Sequence, residues 1–180
     1  MKILETDLEG LLVIQPKVFY DDRGYFYEAF RADLLAELGL KVEFVQDNFS
    51  KSRKNTVRGL HYQVGKNAQG KLCQVISGKV LDVALDIRHN SSTYGKHYSH
   101  ELSDENHTMI WIPPGFAHGF SVLSDEAVFM YRCTTYYTKE DERSILYNDD
   151  ALNIDWRVDN PIVSSKDLEA KRFNEIDKDF

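Results

Sequence analysis

The sequence predicts a mainly β fold, an antiparallel sandwich or barrel with a few short helices. Three observations point there. Short apolar runs recur at close spacing, polar turn signals separate them, and helical periodicity is rare along the 180 residues. No repeat, linker or low-complexity stretch interrupts the chain, and its ten Gly and four Pro are spread thinly. A single domain over 1–180 is expected, long enough to close a hydrophobic core.

The elements follow in order. Residues 11–18 and 25–30 read as strands around a turn at Asp21-Asp22-Arg23-Gly24. Residues 32–38 read as a short helix that Gly39 is placed to end. Strands at 44–49 and 56–63 come next, with polar turn chemistry between them. Residues 71–76 and 79–87 flank Ser77-Gly78, a two-residue hairpin signal. Along the second arm Val83, Leu85 and Ile87 alternate with Asp82, Ala84, Asp86 and Arg88, as in a strand with two unlike faces. Strands at 108–112, 117–123 and 127–137 continue the series, and Ser165 is placed to cap a last helix from Lys166.

Composition narrows the function. Twenty-nine acidic and 22 basic residues give a net charge of −7. Without a basic cluster, such a chain is not built to hold nucleic acid by its phosphates. An anionic ligand must instead meet a few well-placed Arg or Lys side chains. The mean hydropathy of −0.45 and the lack of a long apolar run argue against a membrane span. Residues 1–10 carry no apolar stretch of the signal-peptide kind. Cys73 and Cys133 lie far apart in apolar segments and read as two buried thiols, which fits a reducing cytoplasm.

Two stretches carry chemistry. In Arg58-Gly59-Leu60-His61-Tyr62-Gln63, a regular strand puts Val57, Gly59, His61 and Gln63 on one face. A lone strand His is ordinarily a hydrogen-bonded core residue, but beside a Gly and a Gln it makes a plausible pocket wall. Lys71, Cys73 and Val75 share a face in the same way, although a Lys at a strand start is by default a solvated end. The second stretch, Pro113-Pro114-Gly115-Phe116-Ala117-His118-Gly119-Phe120, has the form Pro-x-Gly-x-x-His. It resembles the second conserved box of the cupins, where a tight turn feeds a His into the mouth of a jelly-roll barrel. Metal-binding cupins supply two His and a Glu from their first box. Here that box reads His61-Tyr62-Gln63, with Lys71 beyond it. Gln is a poor transition-metal ligand and a cation repels the ion, so no metal is expected. His89, His97, His100 and His107 lie in polar surroundings and read as surface residues.

Taken together, the ordered landmarks resemble the dTDP-4-dehydrorhamnose 3,5-epimerase family over nearly the whole chain. They run from Asp22-Arg23-Gly24-Tyr25-Phe26-Tyr27-Glu28 through Phe44-Val45-Gln46-Asp47-Asn48, Arg58-Gly59-Leu60-His61 and Gly70-Lys71-Leu72. Asp82 to Arg88, Pro114 to Phe120, Tyr131, Tyr136-Tyr137 and Ser164-Ser165-Lys166-Asp167 complete them. Cys73 is the one oddity, standing where an aliphatic residue is expected.

The resemblance implies a cupin-type double-stranded β-helix, or jelly-roll barrel, working without a cofactor as a cytoplasmic homodimer. It implies epimerisation of dTDP-4-dehydro-6-deoxy-D-glucose to dTDP-4-dehydro-L-rhamnose. His61 resembles the family's base, and imidazole is a base suited to neutral pH. Asp167 resembles its carboxylate partner, Lys71 the cation facing the C4 oxygen, and Tyr131 the acid on the opposite face. Arg23 and Arg58 resemble diphosphate and sugar contacts, and Tyr137 the aromatic that stacks on thymine. Glu28, Gln46, Asp47, Asn48, His118, Glu142 and Lys166 match further substrate contacts. Without the family, Tyr131 would read as core and Asp167 as a first-turn helix carboxylate. Arg58 and His61 have opposite parity on an ideal strand, so either a bulge intervenes or a partner subunit completes each site. Relatives that epimerise C3 alone or isomerise a 3,4-ketosugar, a non-catalytic sugar- or nucleotide-binding jelly roll and a metal-dependent cupin are the competing readings. A pure binder has no use for a base and an acid on opposite faces.

Overall fold

The computed structural model describes residues 1–37 and 39–180. Its strands are β1 (Lys2–Glu5), β2 (Leu12–Gln15), β3 (Val18–Asp21), β4 (Gly24–Tyr27), β5 (Gln46–Arg53), β6 (Val57–Gln63) and β7 (Lys71–Ser77). There follow β8 (Lys79–Asp86), β9 (His97–Ser103), β10 (Met109–Ile112), β11 (Phe116–Val122), β12 (Glu126–Cys133) and β13 (Glu142–Ser144). The helices α1 (Ala32–Glu37) and α2 (Ser165–Leu168) are short. One sheet runs β1-β2-β10-β7-β12-β5, a second runs β13-β6-β11-β8-β9, and β3 and β4 form a separate hairpin. The two larger sheets pack face to face as a jelly-roll barrel, the fold class expected from the sequence. No helix among the described residues is long and apolar enough to cross a membrane.

Three apolar layers hold the barrel. Between the sheets lie Val75, Val80, Leu102, Ile110, Phe120 and Phe129, all buried. Outside the five-stranded sheet, Leu60, Leu81, Leu85 and Ile145 are covered by the C-terminal segment with Trp156. Outside the six-stranded sheet, Ile14, Leu72 and Met109 meet Leu35 of α1. Phe129 is wholly buried and stacks on Phe120 at 4.3 Å, so truncating it to Ala costs about 3–5 kcal/mol.

Several expectations need correction. The 11–18 strand is two strands, because Pro16 cannot donate to a ladder and β3 leaves to pair with β4. The strands expected at 44–49 and 127–137 are shifted or shortened to β5 and β12, while β1, β9 and β13 had no clear sequence signal. Ser77-Gly78 does not join a hairpin. β7 pairs with β10 and β12, and β8 with β9 and β11, so this turn carries the chain from one sheet to the other. Both faces of β8 are buried, the usual state of an inner strand in a two-layer barrel. Gly39 ends α1 as expected, and Leu38, the last residue of the expected helix, lies outside the described residues. The cap of α2 is Ser164 rather than Ser165, its hydroxyl accepting from the Asp167 N–H. Cys73 and Cys133 are free and buried.

Candidate active site

The site begins with a fault in strand β6. On β11 a single residue separates His118 and Phe120, whose partners on β6 are His61 and Arg58. The extra residue is a bulge at Gly59-Leu60, and it brings Arg58 and His61 to one cleft despite their opposite parity. Only Gly fits there. Its φ is +130°, and a Cβ would stand 2.5 Å from the Cα of Gly119. The same fault breaks the single face expected for Val57, Gly59, His61 and Gln63. Val57 packs outward with Leu60 and Tyr62 instead.

The cleft encloses about 330 Å³ between the sheets. From the five-stranded sheet His61 and His118 reach it; from the six-stranded sheet come Asn48, Lys71 and Tyr131. His61 and Tyr131 therefore belong to opposite walls. Nε2 of His61 lies 2.6 Å from Oδ1 of Asp167 on α2. Burial pushes the Asp167 carboxyl up, but the His61 hydrogen bond and charge, with the Gly59 N–H and Ser164, hold it below its usual range. An ionised Asp167 accepts, so Nε2 carries the hydrogen and Nδ1 keeps the lone pair.

Lys71 is buried, not the solvated strand end its position suggested, and Nζ donates to the His61 carbonyl at 3.3 Å. Burial lowers its pKa, opposed by the nearby Cys73, Cys133, Asp82 and Glu142. Its ammonium stands 5.9 Å from the Tyr131 ring centroid. Burial pushes the Tyr131 hydroxyl up to about 12, which keeps it a proton carrier at neutral pH. Beneath them Nε2 of His118 meets Oδ2 of Asp82 at 2.8 Å.

At the mouth, the Tyr137 hydroxyl donates to Glu142 at 2.9 Å, and Lys166 pairs with the same carboxylate. Burial raises the Glu142 carboxyl less than those two partners lower it. The side chain of Gln46 accepts from the Tyr137 backbone N–H at 3.0 Å and donates to Asn48. Nε of Arg58 donates to Ser52 at 3.0 Å.

Not every expected residue arrives. Arg23 sits at the tip of the β3–β4 hairpin, 89% exposed and paired with Asp21. Glu28 follows the same hairpin and pairs with Arg31. Asp47 alternates with Gln46 and Asn48, so its carboxylate faces away from the cleft toward Arg132. The surface reading of the histidines holds for His89 only. His97 and His100 are half-buried on β9, and His107 is buried beneath Tyr25 and Tyr27, at 4.5 and 5.0 Å between ring centroids.

Asp82 was not among the candidates. The signal was present: it shares parity with Val80 and Ala84, whose side chains point into the barrel. The first-box position that would bind a metal in cupins is spent otherwise. Gln63 donates to the carbonyls of Asn67 and Tyr136 and accepts from the Thr138 N–H at 2.6 Å.

An imidazole–carboxylate dyad facing a protonated phenol across one cleft has the arrangement to move protons on one substrate from two sides. The fold and the cleft thus define a class, an acid–base isomerase on a jelly-roll barrel. Comparison with known proteins agrees. The profile of the dTDP-4-dehydrorhamnose 3,5-epimerase family matches residues 5–175. The Shigella flexneri dTDP-4-dehydrorhamnose 3,5-epimerase is 50% identical, over 100% of this chain and 99% of its own. The crystal structure of the Elizabethkingia anophelis epimerase matches with a TM-score of 0.94 at 49% identity, covering 100% of this chain and 99% of that one. The Legionella pneumophila dTDP-6-deoxy-D-glucose-3,5-epimerase, solved with dTDP-4-keto-L-rhamnose, gives 0.94 at 50% identity over 98% and 94%. The chain belongs to the dTDP-4-dehydrorhamnose 3,5-epimerase family.

Proposed function

We propose that this protein converts dTDP-4-dehydro-6-deoxy-D-glucose to dTDP-4-dehydro-L-rhamnose by inverting C3 and C5. The observation that carries the reading is the placement of the His61–Asp167 dyad and Tyr131 on opposite walls of one cleft. The C4 ketone acidifies the hydrogens on C3 and C5. Nδ1 of His61 takes one as a proton, the electron pair moves onto the C4 oxygen, and Asp167 stabilises the imidazolium. Lys71 stabilises the enolate where charge develops. Tyr131 then returns a proton to carbon from the other face; its phenolate is reprotonated from solvent, and the His61 imidazolium releases its proton to solvent before the next abstraction. Repetition at the second carbon completes the change with no net gain or loss of atoms.

Tyr137 offers a ring face to thymine, fixed by Glu142, while Arg58 and Lys166 supply cations for the diphosphate. Arg23 lies outside the cleft of its own chain, on a hairpin that exposes Phe19, Tyr20 and Phe26. That patch supports a homodimer in which each hairpin carries Arg23 and Glu28 to its partner's cleft. One domain over 1–180, acting in the cytoplasm, accommodates the whole scheme.

Incubation with the 4-ketosugar nucleotide, followed by proton NMR of the products, tests the function. The L-configured 4-ketosugar is expected, and activity is expected to survive exhaustive chelation. Unaltered substrate overturns the reading, and inversion at C3 alone replaces it with the monoepimerase.

A further inference from the structure

Beneath the cleft three side chains converge that bind metals elsewhere: Cys73 on β7, Asp82 on β8 and His118 on β11. Their ligating atoms lie within 4.8 Å of one another, and all three residues are buried. Nε2 of His118 is 2.8 Å from Oδ2 of Asp82 and 4.0 Å from Sγ of Cys73. A second observation points to a ligand. Oδ1 of Asp82, on a residue with no exposed surface, has no hydrogen-bond partner among the described residues. A bare carboxylate oxygen in a core is costly unless something binds it.

We propose that Cys73, Asp82 and His118 form a site for a thiophilic divalent cation, zinc or cadmium, whose occupancy shuts the cleft. Tetrahedral zinc, with bonds of about 2.0–2.3 Å, holds its ligand atoms roughly 3.3–3.6 Å apart. Each of the two separations given above then changes by only about half an ångström. Binding forms a metal–sulfur bond and sends the Cys73 thiol proton to solvent. The His118 hydrogen moves from Nε2, where it faces Asp82, to Nδ1, so that Nε2 gives its lone pair while Asp82 gives an oxygen. The thiolate and carboxylate together cancel the charge of the ion. Lys71 stands close by and opposes any cation, so only a metal with strong affinity for thiolate enters; magnesium and calcium do not. The inhibitory effect of the site rests on the proposed epimerase reading, because His118 lines that cleft; metal binding itself does not.

The test uses cadmium and zinc as the only probes, added to the full-length, chelator-stripped protein. Cadmium is expected to raise a thiolate-to-metal charge-transfer absorption that saturates at one ion per chain. Zinc is expected to stop turnover reversibly, with recovery on adding chelator. Cys73→Val should abolish the absorption and weaken zinc inhibition by about 100-fold, while metal-free turnover is unchanged. Cys133→Ala should retain both effects. If Cys73→Val does not fold, Cys73→Ala takes its place. An absorption that persists without Cys73, equal zinc inhibition of the variant, or a wild-type protein silent to excess cadmium overturns the proposal. Since the absorption needs no substrate, it is read even where the epimerase assignment fails.

Discussion

His61 and Asp167 are 106 residues apart in sequence and 2.6 Å apart in space. The barrel supplies one and the C-terminal segment the other, and Ser164 fixes the short helix that presents the carboxylate. Asp167 sets which imidazole nitrogen carries the hydrogen, so Asp167→Asn should leave dTDP binding intact and lower kcat roughly 10²–10⁴-fold. Calorimetric dTDP titration alongside turnover separates the two effects. A variant with wild-type kcat shows that the dyad does not orient the base.

Tyr131→Phe removes only a hydroxyl from a strand packed in the core, so the protein should stay folded. Abstraction by His61 continues, but return from the inverting face fails. Solvent deuterium should enter with retained configuration while net epimerisation falls roughly 10²–10⁴-fold. Joint loss of exchange and epimerisation in a folded, dTDP-binding variant would reassign Tyr131 to substrate positioning.

In the proposed mechanism Lys71 stabilises the enolate only while charged, and burial holds its pKa below the ordinary 10.5. The sign follows directly: turnover is supported below that depressed pKa and lost as pH rises through it. A profile of kcat/KM against pH should therefore bend downward before 10.5. The Tyr131 hydroxyl, at about 12, titrates later and does not account for that limb. A flat profile to higher pH contradicts the role given to Lys71.

If Arg23 serves the partner's cleft, two inactive variants should rescue each other. Co-expressed His61→Asn and Arg23→Ala chains pair at random, and half the dimers then hold one intact site of two. Roughly a quarter of wild-type activity is expected from the mixture. Activity no greater than the sum of the separate variants places Arg23 outside a shared site.

The strand content was legible in the sequence because alternation is local, whereas Asp167 was reached only through the family resemblance, its own position reading as a first-turn helix carboxylate. The sheet to which each strand belongs was not legible. Ser77-Gly78 has hairpin chemistry, yet β7 and β8 separate because each finds long-range partners. The conflict between Arg58 and His61 was visible as a parity mismatch, but only the close passage of Gly59 and Gly119 shows the bulge that resolves it. Asp82 fell on the polar side of a strand read as having two unlike faces, whereas both faces of β8 are buried. His107 looked polar by its neighbours in sequence, while its neighbours in space are two tyrosines.

Proton NMR of the 4-ketosugar nucleotide in heavy water tests the central claim most directly, that one base works both carbons from one wall of the cleft. Wild-type protein should place deuterium at C3 and at C5, and His61→Asn should place it at neither while still binding dTDP. Exchange that persists at either carbon in His61→Asn would contradict the account, since another residue would then be the base.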